Sequence, residues 1–338
     1  TRTRATLLLT ALAVASLSLT ACSAAAPSET PAPAAASSEG TWPRTVEIPA
    51  GRSHDATSIT IEAAPQKIVA LDYESAETLA ALGLADRVVL VPEAVLNPAL
   101  GSHVDELKAV PNTFPVAGEI DAETVIALAP DLAVMSPRHG NEAPIADVLA
   151  QAGIPSLQLP QPWTSPEALA VNVELIGEAT GSEDAATKLT DEVESGLASA
   201  AAPGAATNGT PAADAPRVLV LTNQAGRPFI TAGAAYPLSL LSLAGAQNAG
   251  DALGIDRTGP ITAEQVVQAN PDGIVLIDMN GSGDRMFADL LANPAVAGLP
   301  AVAKDHVLRI EGKQVQALGL THTVDGLKTL TDWTATLR

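Results

Sequence analysis

The chain has 338 residues, 47% hydrophobic and 17% charged, enough apolar material for about two domains with buried cores. Acids outnumber bases 38 to 18, a formal charge of −20, which excludes a nucleic-acid binder with its basic footprint and disfavours adhesion to anionic lipid. A single cysteine rules out an internal disulfide and any cysteine-built zinc or iron–sulfur centre, and aromatics at 2% are thin for a protein that grips sugars by stacking.

The chain opens Thr1-Arg2-Thr3-Arg4, followed by an uncharged apolar stretch from Leu7 to Leu19 and then Thr20-Ala21-Cys22. A basic start, a short apolar run and small residues before a cleavage point are the parts of an export signal. The run is too short to cross a hydrocarbon core of ~30 Å comfortably. Residues 1–21 resemble the signal peptide of bacterial lipoproteins, and that resemblance implies a lipid on Cys22, on the outer face of the cytoplasmic membrane. A plain secretory signal with a chance cysteine is the alternative. Residues 22–41, rich in Ser, Ala, Pro and Glu, are expected to be a disordered tether, because such a composition cannot offset its ordering entropy by apolar burial.

From there the pattern turns to α/β. The spacing predicts an exposed strand over Thr57–Glu62, a buried strand over Lys67–Asp72 and a helix from Ser75 to Gly83. A strand at Arg87–Val91, a helix at Ala122–Ala129, a strand at Leu132–Met135, a helix at Ala143–Ala152 and a strand at Ser156–Leu159 complete a first lobe over residues 42–163. Such alternation means a parallel sheet. Ser165-Pro166-Glu167 is a strong helix start, and helical composition runs to about Ala202, with a soft point at Thr180-Gly181. Residues 164–202 are therefore expected to be a linking helix and residues 203–216 a mobile loop. A second α/β lobe follows over 217–338. Its strands are expected at Arg217–Thr222, Phe229–Thr231, Gly273–Ile277 and Val307–Ile310, and its helices at Leu238–Ala244, Ala263–Ala269 and Thr323–Leu337.

A local repeat ties the two halves together. Ile120-Asp-Ala-Glu-Thr-Val-Ile-Ala-Leu-Ala-Pro-Asp131 matches Ile261-Thr-Ala-Glu-Gln-Val-Val-Gln-Ala-Asn-Pro-Asp272, 141 residues later, and each leads into an apolar strand. Two similar lobes would face each other with the carboxyl ends of their strands around one cleft, where α/β folds hold ligands.

Three motifs carry a wider resemblance: Ala70-Leu71-Asp72 with Glu77-Thr78-Leu79-Ala80-Ala81-Leu82-Gly83, Ile120 to Ala129-Pro130-Asp131, and Leu243-Ala244-Gly245-Ala246-Gln247-Asn248. In this order and spacing they resemble the substrate-binding lipoproteins of ABC importers for iron chelates, haem and cobalamin, over about residues 57–337. The resemblance implies two α/β lobes with mostly parallel sheets, one long helix joining them and a ligand cleft between. It also implies a monomeric binding protein, with an ABC permease and its ATPase as partners and no enzymatic activity. In that family an exposed Glu on each lobe docks on the permease. Glu123 falls at the first position; at the second this chain has Gln247, which leaves that contact neutral or moved to Glu264. Glu123 is otherwise an ordinary acid in the first turn of a helix.

The loops after the predicted strands bring Arg138, His139, Tyr236, Met279 and Arg285 towards the cleft, and Tyr73 follows the first buried strand. His and Tyr are both axial ligands for haem iron. Similarity to the haem-binding lipoproteins of Gram-positive importers implies that His139 and Tyr236 hold the iron, one from each lobe. Arg138 and Arg285 would then pair with propionates. Those proteins often carry an Arg two residues after the Tyr, where this chain has Leu238. On the residues alone, His139 is equally a solvated loop residue, Tyr236 a packing residue, and Met279 a cleft wall. A ferric siderophore, with its iron already fully coordinated, is the second ligand class, held by Arg138, Arg227 and Arg285; cobalamin is third. Five dispersed His do not supply a zinc or manganese site, and no phosphate loop, hydrolase elbow or zinc-hydrolase motif is present. No catalytic cofactor is expected.

Overall fold

The computed structural model describes residues 41–337 apart from 52–53, 116–120, 137–141, 206–210 and 225. An antiparallel hairpin, Arg44–Ile48 (β1) and Thr57–Ile61 (β2), opens the folded body. Its inward residues Val46, Ile48 and Ile61 are buried. β1 was not expected from the sequence, because its alternation is only five residues long and its partner lies across a nonperiodic segment.

The first lobe is built on Ile68–Ala70 (β3), Val88–Pro92 (β4), Thr113–Phe114 (β5), Leu132–Met135 (β6) and Ser156–Gln158 (β7). Among the described residues these form one parallel sheet in the order β5-β4-β3-β6-β7. β3 and β6 are buried throughout, the unbroken apolar reading of parallel strands covered on both faces. The chain order reverses between β3 and β6, and ligand crevices of α/β sheets lie at such a switch point. Asp72 sits there. Its Oδ1 accepts the N–H of Ser75 at 2.8 Å and caps helix Tyr73–Ala81, while Oδ2 accepts the N–H of Ser136 at 2.8 Å from the end of β6.

The second lobe is built on Arg217–Gln224 (β8), Arg227–Ile230 (β9), Gln247–Asn248 (β10), Gly259–Pro260 (β11), Gly273–Asp278 (β12) and Val307–Glu311 (β13). The order is β11-β9-β8-β12-β13, with β10 on β8. β8, β12 and β13 run parallel; β9 and β11 are antiparallel additions. The sequence repeat has a structural counterpart. Asp131 accepts the N–H groups of Gln66 and Lys67 just before β3, and Asp272 accepts the N–H of Arg217 at the start of β8. Each repeated Pro-Asp thus anchors the entry of its lobe's central strand.

The helical stretch between the lobes comprises Pro166–Thr180 and Glu183–Ala200. Ser165 caps the first through the N–H of Ala168, and Gly181, at φ 73°, ends it. The soft point in the sequence is therefore a full break, and helix Glu183–Ala200, about 27 Å long at 1.5 Å per residue, carries the crossing. Arg44 bridges the joint: its guanidinium donates to the Glu178 carbonyl and, at 2.6 Å, to the Glu183 carboxylate, and it lies over the Trp42 ring. At the far end Thr331 donates its hydroxyl to the Ala200 carbonyl. The largest apolar core takes residues from both lobes and from both of these helices, from Val46 to Leu330. Among the described residues no helix is long and apolar enough to cross a membrane.

A methyl group on Gly177 would stand 2.4 Å from the Cβ of Ala186, inside the joint. Gly177→Ala is expected to lower stability by about 1–3 kcal/mol, the usual cost of overpacking, read as a lower urea midpoint at unchanged slope.

Candidate functional site

Between the lobes, at the carboxyl ends of β6, β8 and β9, lies a cavity of about 440 Å³. Ser136, Trp163 and Thr164 reach it from the first lobe and its exit, and Thr222, Thr231 and Tyr236 from the second. None of its described lining residues is charged; hydroxyl and amide groups dominate, with Gln224, Thr258 and Gln316 completing the polar wall. Ser136 Oγ, Trp163 Nε1, Thr222 Oγ1 and Thr231 Oγ1 are buried there without a hydrogen-bond partner. A buried polar atom left unpaired costs about 1–3 kcal/mol; these four have almost no accessible surface and lie just behind the cavity wall, not open to it.

Tyr236 is 1% exposed and opens helix Tyr236–Leu243, two residues earlier than the sequence suggested, with Pro237 preset for the first turn. Its ring lines the cavity, but its hydroxyl points into the protein and donates to Thr323 Oγ1 at 3.4 Å; the Thr323 hydroxyl in turn donates to the Leu320 carbonyl at 2.6 Å. Burial, aided by the Glu167 charge and opposed by the Thr323 hydrogen bond, pushes the phenol up to about 12.

Of the other residues singled out from sequence, Cys22, Arg138 and His139 lie outside the described residues. Ser136, two positions before Arg138, is a cavity residue. Tyr73 is half-buried at the head of helix Tyr73–Ala81 and packs on the core. Met279 is half-buried one step from the cavity, with Gln316 Nε2 at 3.6 Å from its sulfur. Arg285 is exposed and donates from Nε to the Ser282 carbonyl. Glu123 and Glu264 are exposed and occupy the same place, the second residue of helices Ala122–Ala127 and Ala263–Ala269, in the two repeated units. The Glu264 carboxyl is held below its ordinary value by its own backbone N–H and by the Thr262 hydroxyl. Ser136, Trp163, Thr222 and Thr231 were missed from sequence. For Ser136, Thr222 and Thr231 the one available signal was a hydroxyl near the end of a buried apolar strand; Trp163 gave none.

The loop after β12 is fixed by one side chain of β8. Asn223 Nδ2 donates to Asp278 Oδ1 at 2.8 Å, to Asn280 Oδ1 at 3.1 Å and to Ser282 Oγ at 2.8 Å, and its Oδ1 accepts the N–H of Met279 at 2.7 Å. Burial alone would raise the Asp278 carboxyl. The Asn223 amide and the N–H groups of Gly283, Asn280 and Ser282 outweigh it and hold the group below its ordinary value.

Two titrations check this electrostatic picture. Tyrosinate absorbance that disappears in Tyr236→Phe is expected to emerge only near pH 12. A carboxyl held low in the fold contributes stability above its unfolded pKa and loses it as pH falls through the folded value. Asp278→Asn is therefore expected to be destabilised at pH 7, with its deficit in thermal midpoint shrinking as pH falls below about 4.

A family model described as periplasmic binding protein matches residues 68–313. The uncharacterized ABC transporter substrate-binding lipoprotein YvrC of Bacillus subtilis is 29% identical over 226 residues, covering 65% of this chain and 66%, just under two thirds, of that protein. Among solved structures, the apo periplasmic heme-binding protein RhuT from Roseiflexus sp. RS-1 has a TM-score of 0.65 at 22% identity, covering 80% of this chain and 98% of its own. An ABC-type Fe3+-hydroxamate transport system protein from Saccharomonospora viridis has a TM-score of 0.64 at 21% identity, covering 87% and 99%. At these identities the two structures speak for the bilobal fold. The match over residues 68–313 agrees with the resemblance read from the motifs and with a binding protein rather than an enzyme: the chain belongs to the periplasmic binding protein family.

Proposed function

We propose that the chain is the extracytoplasmic substrate-binding component of an ABC importer, tethered through a lipid on Cys22, and that its cargo is an uncharged ferric chelate of the hydroxamate type. The observation that carries the ligand class is the cavity wall. Its described lining is hydroxyl, amide, aromatic and apolar, with no charged group among the described residues. Such a wall suits a chelate that brings its iron fully coordinated and presents neutral acceptor oxygens. A strongly anionic catecholate complex would need cations at the wall and would meet a protein of charge −20. Glu123 and Glu264, set at equivalent points of the two lobes, are proposed as the acidic pair that docks on the permease; in this reading Glu264 takes the place of the acid absent at Gln247.

Haem is the second reading. It rests on Tyr236 and Ser136 lining one cavity, since the segment that follows Ser136 carries Arg138 and His139. In that reading His139 and Tyr236 ligate iron, Arg138 and Arg285 meet the propionates, and Met279 and Tyr73 flank the ring. It requires the Tyr236 phenol, pushed up to about 12 by burial, to turn and lose its proton.

Titration with ferrioxamine, a ferric catecholate and hemin separates the readings. Ferrioxamine is expected to quench tryptophan emission saturably, with most of the quenching lost in Trp163→Phe. Thr222→Val is expected to weaken binding about fivefold, the value of one hydrogen bond near 1 kcal/mol. Saturable hemin binding with a shifted Soret band, abolished in Tyr236→Phe, would replace this reading with haem.

A further inference from the structure

Glu77 is 0% exposed in the middle of helix Tyr73–Ala81, and its carboxylate faces neither the cavity nor solvent. It grips a loop of its own lobe. Oε1 accepts the N–H of Ser102 at 3.0 Å; Oε2 accepts the N–H of His103 at 3.0 Å and faces His103 Nδ1 at 2.8 Å. Buried charge is retained only when hydrogen-bonded in this way, and here every partner lies in one short segment. That segment, residues 97–103, is the part of the first lobe pressed on the second. Ala99 accepts the N–H of Lys313 at 3.1 Å, Pro98 accepts Lys313 Nζ at 2.8 Å, and Ser102 Oγ lies 3.5 Å from the Gly319 carbonyl. The approach is close at Gly312, where a methyl would stand 3.0 Å from Leu100 Cδ1.

We propose that Glu77 is a positioning residue for the lobe interface, its buried carboxylate holding residues 97–103 in the form that hydrogen-bonds Lys313 across the cleft's edge and so setting the spacing of the two cavity walls. This coupling does not depend on which ligand the cavity takes. It gives a mechanical role to the glutamate of the Glu77-to-Gly83 motif, which neither the cavity nor the proposed permease contact uses.

Amide hydrogen exchange on the protein without ligand tests it. In Glu77→Gln one of the two backbone donors must face an NH₂ group. The Ser102 and His103 amides are then expected to exchange about tenfold faster or more, and the Lys313 amide, on the other lobe, to follow, while Ile274–Ile277 in β12 keep their protection. Gly101→Ala tests the same link with the carboxylate intact. Its methyl would stand 1.9 Å from the Val95 carbonyl and 3.0 Å from Glu77 Oε1, lifting the loop from its anchor, and the same three amides are expected to open. If Ser102 and His103 open in both variants while Lys313 stays protected, the carboxylate merely ties down a local loop and the proposal falls.

Discussion

Each lobe depends on one buried side chain that staples the end of its central strand to the next strand of the sheet. In the first lobe it is Asp72, which takes the N–H of Ser136 beyond β6. In the second it is Asn223, which binds Asp278 and the Met279 N–H at the end of β12. A parallel sheet needs such a device, because its strand ends lie where the loops must leave and backbone groups lose their ladder partners. Both staples stand at the carboxyl ends of their strands, beside the cavity. Ser136, held by the first, and Thr222, next to the second, line the cavity, and with Thr231 they are its residues with buried, unpaired hydroxyls. The geometry that orders the sheets also fixes the wall that meets a ligand.

Among the described residues the cavity wall is dominated by hydroxyl and amide groups, and a ligand that cannot replace the hydrogen bonds such groups make to water leaves the desolvation cost unrecovered. The formal charge of −20 lies elsewhere and acts at long range. A net negative field of this kind disfavours anionic and favours basic groups that approach, and it fades beyond a Debye length of roughly 8 Å at physiological salt.

Much of the fold was legible because buried parallel strands are unbroken apolar runs, as at Ile68–Ala70, Leu132–Met135 and Gly273–Ile277, and because the 141-residue repeat marks the two lobes. Gly181 betrayed the joint in the linking segment, though only the packing of Gly177 on Ala186 shows that the helices separate there. The site was harder to read. A Thr near a strand end looks the same in sequence whether its hydroxyl finds a partner or, as at Thr222 and Thr231, does not. Tyr236 shows the converse. Its place beside the cleft could be inferred, but the direction of its hydroxyl depends on the rotation of a helix against Thr323, which no local pattern encodes.

The two clamps outside the cavity determine how such a wall can bind. Arg44 closes the joint where helix Pro166–Thr180 meets helix Glu183–Ala200, and the loop of residues 97–103 ties the lobes again at Lys313. Of the two, the loop contact crosses from lobe to lobe, and the lobes also share one apolar core. Large closure would break buried packing, whereas a cavity already near its bound shape needs little ordering when the ligand arrives. The same contacts set the distance between the wall that carries Ser136 and the wall that carries Thr222, and that distance, more than the count of contacts, limits the size of ligand that fits.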